Sequence, residues 1–390
     1  MRMIVLGAGL QGSACAADWL RQPDVTSVRI IDSSAERLSV LEKQFQDGRL
    51  ATCCCDVSDE DRLVDVIADG DALVSAVPYF LNLGLTKVAI RARTHMVDMG
   101  GNTDIVFQQR SLDEEAKASG IGVLPDQGLA PGLAGILGAH AIRDMDSVRS
   151  LKLRVGGLPQ KRPDNSLGYA LVFSIHGLIN EYVGDAIGLR NGEISREPAL
   201  TGLETIQFPE IGRCEAAYTS GGTSTLPWSL EGRVDRLDYK TVRHPGHWKR
   251  VRFLEEIGLF GTEPVTIGRN KVSPREVLAE LLGPRLSIPL VRDLVVLRVT
   301  ARGRRGQQNV VRRYELLDRF DEKMGLSAMM RTTAFPAAES ALLLARNQIR
   351  ERGVLAAEKV VPGELYLRSL RARGLAIREV ETTTDEGHDD

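Results

Sequence analysis

Three glycines and one aspartate near the start of the chain have the spacing of a phosphate-binding loop. Gly7-x-Gly9-x-x-Gly12 lies between an apolar run and a stretch with helical apolar spacing, and Asp32 ends a second apolar run. Glycines in this pattern allow a tight turn, close approach of the backbone to a pyrophosphate, and close packing of helix on strand. Free N–H groups at the helix start then face the phosphates. We predict a dinucleotide site formed by Gly7, Gly9, Leu10, Gln11, Gly12, Asp32, Ser33, Val77 and Pro78.

Asp32 also indicates which dinucleotide binds. A carboxylate at the end of the second strand accepts hydrogen bonds from both adenosine ribose hydroxyls and repels a 2′-phosphate. Residues 33–36 contain no cation, and Arg37 is the first basic residue after Asp32. The sequence therefore favours NAD over NADP. A capping role for Asp32 at the helix that begins near Ala35 is compatible with this assignment.

A parallel sheet is needed to position these residues. From residue 1 to about 125, short apolar strands alternate with amphipathic helices, which is typical of a doubly wound sheet. We predict strands at Met3–Leu6, Ser27–Ile31, Ala51–Cys55, Ala72–Ser75, His95–Asp98 and Gly122–Leu124. We predict helices at Gln11–Leu20, Ala35–Phe45, Glu60–Ala68, Leu83–Ala92 and Ser111–Ser119. Six strands suggest the order 3-2-1-4-5-6, with ligands at the carboxyl ends.

The pattern changes after Pro131. Longer strands are predicted at Leu151–Val155, Cys214–Tyr218, Val234–Tyr239, Asp293–Ala301 and Val310–Leu317, with a hairpin loop at 302–307 and a helix at Pro336–Arg350. We expect an α/β protein: a Rossmann-type doubly wound parallel sheet over 1–127 and a second α+β domain with a mainly antiparallel sheet over 128–334. Residues 335–380 are expected to form a helical segment that packs back on the first domain, and 381–390 a disordered acidic tail.

Composition limits the class of protein. The chain has 390 residues, of which 43% are hydrophobic and 26% charged, and a formal net charge of −2. This balance gives no electrostatic reason to expect nucleic acid or an anionic membrane as partner. No apolar stretch reaches the roughly 20 residues of a membrane span, and a strand that begins at Met3 leaves no room for a signal peptide.

The cysteines and the second sheet complete this picture. Five cysteines, three of them consecutive at 53–55, suit reduced thiols because neighbours in a strand point to opposite faces. We expect a cytoplasmic enzyme with a small-molecule substrate. Because the edge of an antiparallel sheet needs protection, we also expect a homo-oligomer, most simply a twofold dimer through the second domain.

Several longer motifs resemble one family. The segment Val77-Pro78-Tyr79-x-x-Asn82 is similar to the Pro-Tyr turn of saccharopine dehydrogenases, and Asp126-x-Gly128-x-Ala130-Pro131-Gly132 is similar to their domain junction. Three further segments, 169–182, Thr219-Ser220-Gly221-Gly222-Thr223 and Arg243-His244-Pro245-Gly246-His247, resemble the L-lysine 6-dehydrogenase branch. His244 stands where that branch has tyrosine. The similarity runs from about Met1 to Arg378.

The resemblance implies oxidation of the ε-amine of L-lysine by NAD. The imine product would react with water to give ammonia and an aldehyde that closes to a six-membered cyclic imine. Hydride leaves only from an unprotonated amine, so an ammonium of pKa about 10.4 must lose its proton in the site. Alternatives are saccharopine reductase, a carboxynorspermidine-type dehydrogenase, and a nucleotide-bound regulator without turnover.

Such chemistry needs a base near the carboxyl ends of strands four to six. Tyr79 follows strand four, Asp98 ends strand five and Asp126 follows strand six, so these three are the candidate catalytic residues. Each has a structural alternative. The Tyr79 ring could pack on the nicotinamide or the adjacent loop, Asp98 could cap a turn, and Asp126 could hold the domain junction through backbone N–H groups.

An amino-acid substrate would also need its charged groups held. Arg243 suits bidentate capture of an α-carboxylate, or it could be a surface or ion-pair residue. Gly222 and Thr223 could add backbone and hydroxyl donors, and Glu181 could meet a cationic amine or be an ordinary surface carboxylate.

The histidine pair at the end of this motif has two interpretations. His244 and His247 have neither a cysteine nor a third histidine nearby, so we predict no metal site. His247 could contact the substrate or be a buried structural histidine.

Overall fold

The computed structural model describes residues 1–289 and 291–385, which form two compact units. The first comprises 1–143, 223–230 and 330–377, and the second comprises 144–222, 231–329 and the segment from Arg378. Up to residue 143 the elements are β1 Arg2–Leu6, α1 Leu10–Trp19, β2 Ser27–Asp32, α2 Ala35–Phe45, β3 Leu50–Cys54, α3 Glu60–Ile67, β4 Ala72–Ser75, a 3-10 turn at Tyr79–Leu81, α4 Asn82–Ala92, β5 His95–Asp98, α5 Thr103–Arg110, α6 Asp113–Ser119, β6 Gly122–Leu124 and α7 Leu133–Ala141.

The remaining elements follow in chain order. They are β7 Ser147–Pro159, α8 Ile175–Glu181, β8 Asp185–Arg190, β9 Glu193–Pro198, β10 Glu204–Phe208, β11 Gly212–Tyr218, α9 Leu226–Leu230, β12 Val234–Arg243, α10 His247–Glu256, β13 Val265–Ile267, β14 Asn270–Val272, α11 Pro274–Leu286, β15 Asp293–Arg305, β16 Gln308–Arg319, α12 Ala328–Ala345, β17 Gly353–Val354, α13 Ala357–Val360, α14 Gly363–Ala372 and β18 Arg378–Asp385.

The first unit is built on a seven-stranded sheet of order β17-β6-β5-β4-β1-β2-β3, in which every pair is parallel. The predicted Rossmann-type sheet is thus confirmed, with β17 as an added seventh strand. Its central strands are buried along almost their whole length, which explains their continuous apolar runs. Because the strands are parallel, β4, β5 and β6 deliver the residues that follow them to one edge of the sheet.

Helix α5 is missing from the sequence prediction. Among its eight residues only Val106 and Gln109 are buried, so the sequence carries no apolar stripe there. Its start is fixed instead by Asn102, whose Oδ1 accepts a hydrogen bond from the N–H of Ile105 at 3.1 Å.

Residues 330–377 belong to the first unit. Helix α12 begins earlier and ends earlier than the predicted helix at Pro336–Arg350. It lies against α1, where the Trp19 indole N–H donates to the carbonyl of Ala338 at 3.1 Å. Arg373, just after α14, pairs with the buried carboxylate of Asp18 at 2.8 Å.

The second unit contains a mixed sheet of order β10-β11-β12-β7-β15-β16-β18. In addition, β8 pairs with β12, and β9 pairs with β8. It is mainly antiparallel, as predicted, although β12 and β7 run parallel. The hairpin loop predicted at 302–307 is shorter, because β15 and β16 pair as far as Arg305 and Gln308. The expected disordered tail is also different: 381–385 pair with β16 as part of β18, and 386–390 lie outside the described residues.

Three properties of the described residues concern possible partners. Within residues 1–289 and 291–385, no helix has both the length and the apolar character required to cross a membrane. In that same part of the chain, no group of three or more histidine, cysteine or acidic side chains gathers as metal ligands would. All five cysteines are free thiols.

Candidate active site

The glycine loop has the geometry expected of a dinucleotide-binding turn. Gly7 has a φ of +104°, which favours glycine, and a Cβ at Gly12 would lie 1.9 Å from the Gly7 carbonyl oxygen. The fold itself therefore requires these two glycines. At Gly9, by contrast, an added Cβ would meet nothing within 4 Å, so the space in front of this residue is open to a ligand.

The other predicted nucleotide residues surround this loop. Gly9 precedes the first turn of α1 and provides no side-chain cap, so backbone N–H groups of that turn are available to an anion. The Gln11 Oε1 atom is buried without a hydrogen-bond partner. Val77 contacts the loop, since its Cγ1 would lie 3.2 Å from a Cβ at Gly7. Leu10, Ser33 and Pro78 are exposed. These features fit a bound dinucleotide.

Asp32 connects the glycine loop to the end of β2. Its Oδ2 accepts a hydrogen bond from the N–H of Ala8 at 2.7 Å, and its Oδ1 accepts one from Ser34 at 2.8 Å. Each oxygen keeps a further acceptor position. The cap of α2 is Ser34, whose Oγ accepts from the N–H of Arg37, so Asp32 is not the helix cap.

A cation that is distant from Asp32 in sequence also lies at this edge. Cys54 is the register partner of Asp32, and the Arg62 guanidinium donates to the Cys54 carbonyl oxygen at 3.0 Å. Arg62 lies on α3, far from Asp32 in sequence, and only the strand pairing brings the two together.

Asp98 and Asp126 form a buried acid pair after β5 and β6. Asp98 is fully enclosed. Its Oδ1 accepts from the N–H groups of Gly100 at 2.9 Å and Asp126 at 3.0 Å. Its Oδ2 accepts from the Gln109 amide at 2.8 Å. Both carboxylate oxygens of Asp98 are thus occupied by protein donors.

Asp126 is held less completely. Its Oδ1 accepts from the N–H of Gly101 at 2.5 Å. The Ser224 hydroxyl faces the same carboxyl group, yet the buried Oδ2 atom makes no well-formed hydrogen bond. Burial and the neighbouring Asp98 carboxylate raise the pKa of Asp126 to about 7. Of the two acids, Asp126 is therefore the one with an oxygen available to exchange a proton near neutral pH.

Tyr79 begins the 3-10 turn after β4 and is partly exposed. Its ring packs edge-on against Phe80, with 6.0 Å between ring centroids. Asn82, from the same motif, is buried and accepts a hydrogen bond from the Ser75 hydroxyl at 2.7 Å. The turn thus places Tyr79 at the carboxyl edge of the sheet, where its hydroxyl or its ring face can meet a ligand.

The second unit contains a separate buried cluster around Arg243. The Arg243 Nη2 atom lies 2.9 Å from Glu181 Oε2, and its guanidinium stacks over the Tyr169 ring at 4.9 Å from the centroid. The Arg243 side chain is 1% exposed, whereas that of Glu181 is 29% exposed. Two buried atoms of this cluster, Arg243 Nε and the Tyr169 hydroxyl, make no hydrogen bond. An unmatched buried guanidinium N–H is costly unless an acceptor binds there.

His247 belongs to the same cluster but has both ring nitrogens occupied. Its Nδ1 lies 3.2 Å from the Leu167 carbonyl oxygen and its Nε2 lies 2.9 Å from the Tyr182 hydroxyl. Since a carbonyl only accepts, Nδ1 carries the proton and Nε2 accepts from Tyr182. Burial, together with the Arg243 charge, lowers the pKa of His247 to about 3. These contacts are those of a buried structural histidine.

Gly222 and Thr223 lie in different units. A Cβ at Gly222 would lie 2.3 Å from the Tyr239 ring, so this glycine makes room for that ring in the second unit. Thr223 belongs to the first unit, where it lines a cavity together with Asp126.

Comparison with known proteins identifies the family. Residues 128–375 match the model of the saccharopine dehydrogenase C-terminal domain. Residues 3–124 match that of the saccharopine dehydrogenase NADP binding domain. The chain belongs to the saccharopine dehydrogenase family.

Curated relatives include a saccharopine dehydrogenase and an alpha-aminoadipic semialdehyde synthase. Saccharopine dehydrogenase [NADP(+), L-glutamate-forming] of Saccharomyces cerevisiae is 27% identical over 242 residues, which cover 59% of this chain and 53% of the relative. Mitochondrial alpha-aminoadipic semialdehyde synthase of Mus musculus is 22% identical over an alignment of 455 positions. This alignment covers 98% of this chain and 48% of the relative. The chain thus spans about half the length of the curated relatives it matches.

Solved structures support the same fold. The apo saccharopine dehydrogenase (L-Glu forming) from Saccharomyces cerevisiae has a TM-score of 0.79 at 19% identity and covers 98% of this chain and 99% of its own. The homospermidine synthase from Legionella pneumophila, in complex with NAD, has a TM-score of 0.70 at 12% identity. The match covers 98% of this chain and 91% of that protein. The saccharopine dehydrogenase fold therefore extends over both units.

Proposed function

We propose that this family member is an NAD-dependent dehydrogenase that oxidatively deaminates the ε-amine of L-lysine. The products would be ammonia and allysine, which closes to Δ1-piperideine-6-carboxylate. The observation that carries the catalytic part is the free, buried Oδ2 of Asp126, in a carboxyl group whose pKa lies near 7. When bound, the nicotinamide accepts the hydride.

Asp126 is assigned the role of general base. Its Oδ2 takes the proton from the substrate ammonium, which frees the nitrogen lone pair that expels hydride from the neighbouring carbon. Asp98 acts as a positioning residue, because its Oδ1 holds the Asp126 backbone N–H and its charge raises the pKa of Asp126. Tyr79 is assigned to the same edge as a contact for the nicotinamide or the amine.

Within the second unit, the Arg243–Glu181 pair has the chemistry to hold an amino-acid head group. Arg243 would hold the α-carboxylate and Glu181 the α-ammonium, so a zwitterion would match the pair without adding net charge. The other buried cations in the described part of this unit are engaged elsewhere. Arg154 and Lys240 pair with Glu204, and Arg312 pairs with Asp144 and Glu381. This single arginine suits a substrate with one carboxylate.

Saccharopine is the second candidate substrate, since the curated relatives include saccharopine dehydrogenases. Its additional dicarboxylate arm would need another cation. Exposed Arg162 is favourably placed in the second unit: its Nε would lie 2.5 Å from a Cβ at Gly168, beside Tyr169, and its Nη2 3.9 Å from one at Gly246, beside His247. Arg162 is therefore the residue that would distinguish the two substrates.

The experiment is an NADH assay on the purified chain with L-lysine and with saccharopine. We expect NADH and ammonia from lysine without glutamate, and we expect Arg162→Gln to leave this rate within twofold. Exposed Lys161→Gln is the matched control. Turnover of saccharopine with glutamate release, lost in Arg162→Gln but kept in Lys161→Gln, would replace lysine by saccharopine as the substrate.

A further inference from the structure

A small polar cavity, about the size of one water molecule, lies within the first unit. Its lining includes Asp126, Thr223, Ser224, Thr225 and Glu358. The lining offers two carboxyl groups and three hydroxyls, which are enough partners for one water molecule, since a buried water needs two to four. The cavity therefore connects Asp126, which is 2% exposed, with the partly exposed Glu358 on α13.

The two acids differ in what they contact. The Oδ2 atom of Asp126 has no hydrogen-bond partner. The Oε1 atom of Glu358 accepts from the Thr225 hydroxyl at 2.8 Å and from the Ser229 hydroxyl at 2.5 Å. Glu358 is thus fixed as a proton acceptor at the solvent side of the cavity, while a free oxygen of Asp126 lies at its buried side.

The backbone at the buried side is strained. Asp126 has a φ of +59° and Ser224, which faces it, has a φ of +46°. Non-glycine residues in this region are strained and persist where surrounding structure enforces them, often at functional sites. Here the strain directs a carboxyl group and a hydroxyl toward one another at the cavity wall.

We propose that Glu358 is the proton outlet of Asp126. This rests on the proposed function, in which Asp126 takes a proton from the substrate ammonium. That proton passes from Asp126 Oδ2 through cavity water and the hydroxyls of residues 224–225 to the Glu358 carboxylate, and then to solvent. No electrons move, and Asp126 returns to its carboxylate form for the next turnover.

The ionisable groups around the route are few. Asp98, from β5, faces Asp126, and Glu358 comes from α13. Helix α7, which packs against α13, contributes His140, which lies 3.6 Å from Glu364. Glu358 is thus the acid that joins the Asp126 cavity to the surface.

The kinetic test uses Glu358→Gln in the full chain, with exposed Glu351→Gln from the same segment as control. In dilute buffer we expect kcat of Glu358→Gln to fall at least tenfold, with the nucleotide Kd and the amine KM unchanged. A high concentration of imidazole buffer should restore kcat, because a small acid–base pair can replace a proton outlet. A merely structural role for Glu358 would not respond to buffer concentration.

A second measurement does not depend on turnover. The infrared carbonyl band of protonated Asp126, identified by its loss in Asp126→Asn, gives the midpoint of its titration. Removing the Glu358 charge should lower this midpoint by about half a pH unit. An unchanged midpoint, with full kcat in dilute buffer, overturns the proposal. If wild type oxidises neither lysine nor saccharopine, the proposed function fails, and the titration still decides whether the two acids share the cavity.

Discussion

The carboxylate of Asp98 accepts a hydrogen bond from the backbone N–H of Asp126 at 3.0 Å. One acid therefore positions the other, and its negative charge makes ionisation of its neighbour less favourable. The two aspartates therefore differ in role. Both oxygens of Asp98 accept hydrogen bonds from protein donors, which suits a positioning residue, while Asp126 keeps one oxygen free to exchange a proton.

Asp126→Asn should abolish most of the turnover. Loss of a general base costs about 10²–10⁴-fold in rate, and wild-type turnover should rise with pH through about 7, as Asp126 ionises. The measurement is kcat against pH for both proteins. Asp104→Asn, at an exposed acid on α5, should retain the wild-type profile. A folded Asp126→Asn protein with the full rate would remove Asp126 from the mechanism.

The same substitution should stabilise the protein at alkaline pH. Asp126 has a pKa of about 7 when folded, against an ordinary value of 3.8. The folded state therefore binds more protons between pH 4 and 7, and the free energy of unfolding falls as pH rises through that window. We expect Asp126→Asn to be more stable than wild type by roughly 1–3 kcal/mol at pH 8 and equal to it near pH 4. Urea denaturation at the two pH values tests this.

Two glycines of the loop should respond differently to alanine. Gly9→Ala adds a Cβ that meets nothing within 4 Å of protein, so the melting temperature should hardly change while the nucleotide Kd rises at least tenfold. Gly12→Ala places a Cβ 1.9 Å from a carbonyl oxygen and should destabilise the fold by several kcal/mol. Unchanged nucleotide affinity in Gly9→Ala would show that the dinucleotide does not approach this residue.

Asp32 and Arg62 should set the preference between cofactors. Asp32→Ala removes acceptors for the ribose hydroxyls and the repulsion of a 2′-phosphate, so the Kd of NAD should rise about tenfold or more, and that of NADP much less. Adding Arg62→Gln to Asp32→Ala should then weaken NADP binding, if the Arg62 guanidinium, which lies beside Cys54, contacts the 2′-phosphate. Arg37→Gln is the control for the alternative cation. An unchanged NAD-to-NADP ratio in folded Asp32→Ala would contradict this assignment.

His247 should make the protein sensitive to acid. Its pKa is lowered to about 3 in the folded state from a usual 6.5, so the unfolded chain binds more protons between these values. The free energy of unfolding should therefore fall as pH drops from 6.5 toward 3, by up to about 4–5 kcal/mol. His247→Gln should flatten this dependence, whereas exposed His176→Gln should not. If the free energy of unfolding depended on pH equally in wild type and in both variants, the acid sensitivity would not come from His247.

The sequence was sufficient for six of the seven strands of the first unit's sheet, because central strands such as β1, β4 and β6 are buried on both faces and leave short apolar runs. Because those strands were predicted, the position of Asp98 and Asp126 at the carboxyl edge of the sheet could be predicted too. Which acid keeps a free oxygen depends on backbone N–H groups and on Gln109, which lies on α5, a helix without an apolar stripe. Sequence patterns contain no record of such donors.

In the second unit, the resemblance pointed to Arg243, Glu181 and His247, which the structure places in one cluster. Tyr182 ends one of the segments that carry the resemblance, but the sequence did not show that its hydroxyl donates to His247, because that contact joins residues 65 positions apart. Strand β18 was missed for a similar reason. Its polar, acidic sequence resembles a solvated tail, and pairing with β16 is a long-range interaction that local composition does not reveal.

The first unit is assembled from three separated stretches of chain, and this affects how it is synthesised. Residues 1–143 leave the ribosome first, but α12, which covers α1, begins only at Ala328. At about 5–20 residues per second, that interval lasts roughly 10–40 s. During it, the apolar face of α1 is without its cover and is open to a chaperone. A nascent chain released before α12, with residues 144–327 already made, would still lack the last layer of its nucleotide-binding half.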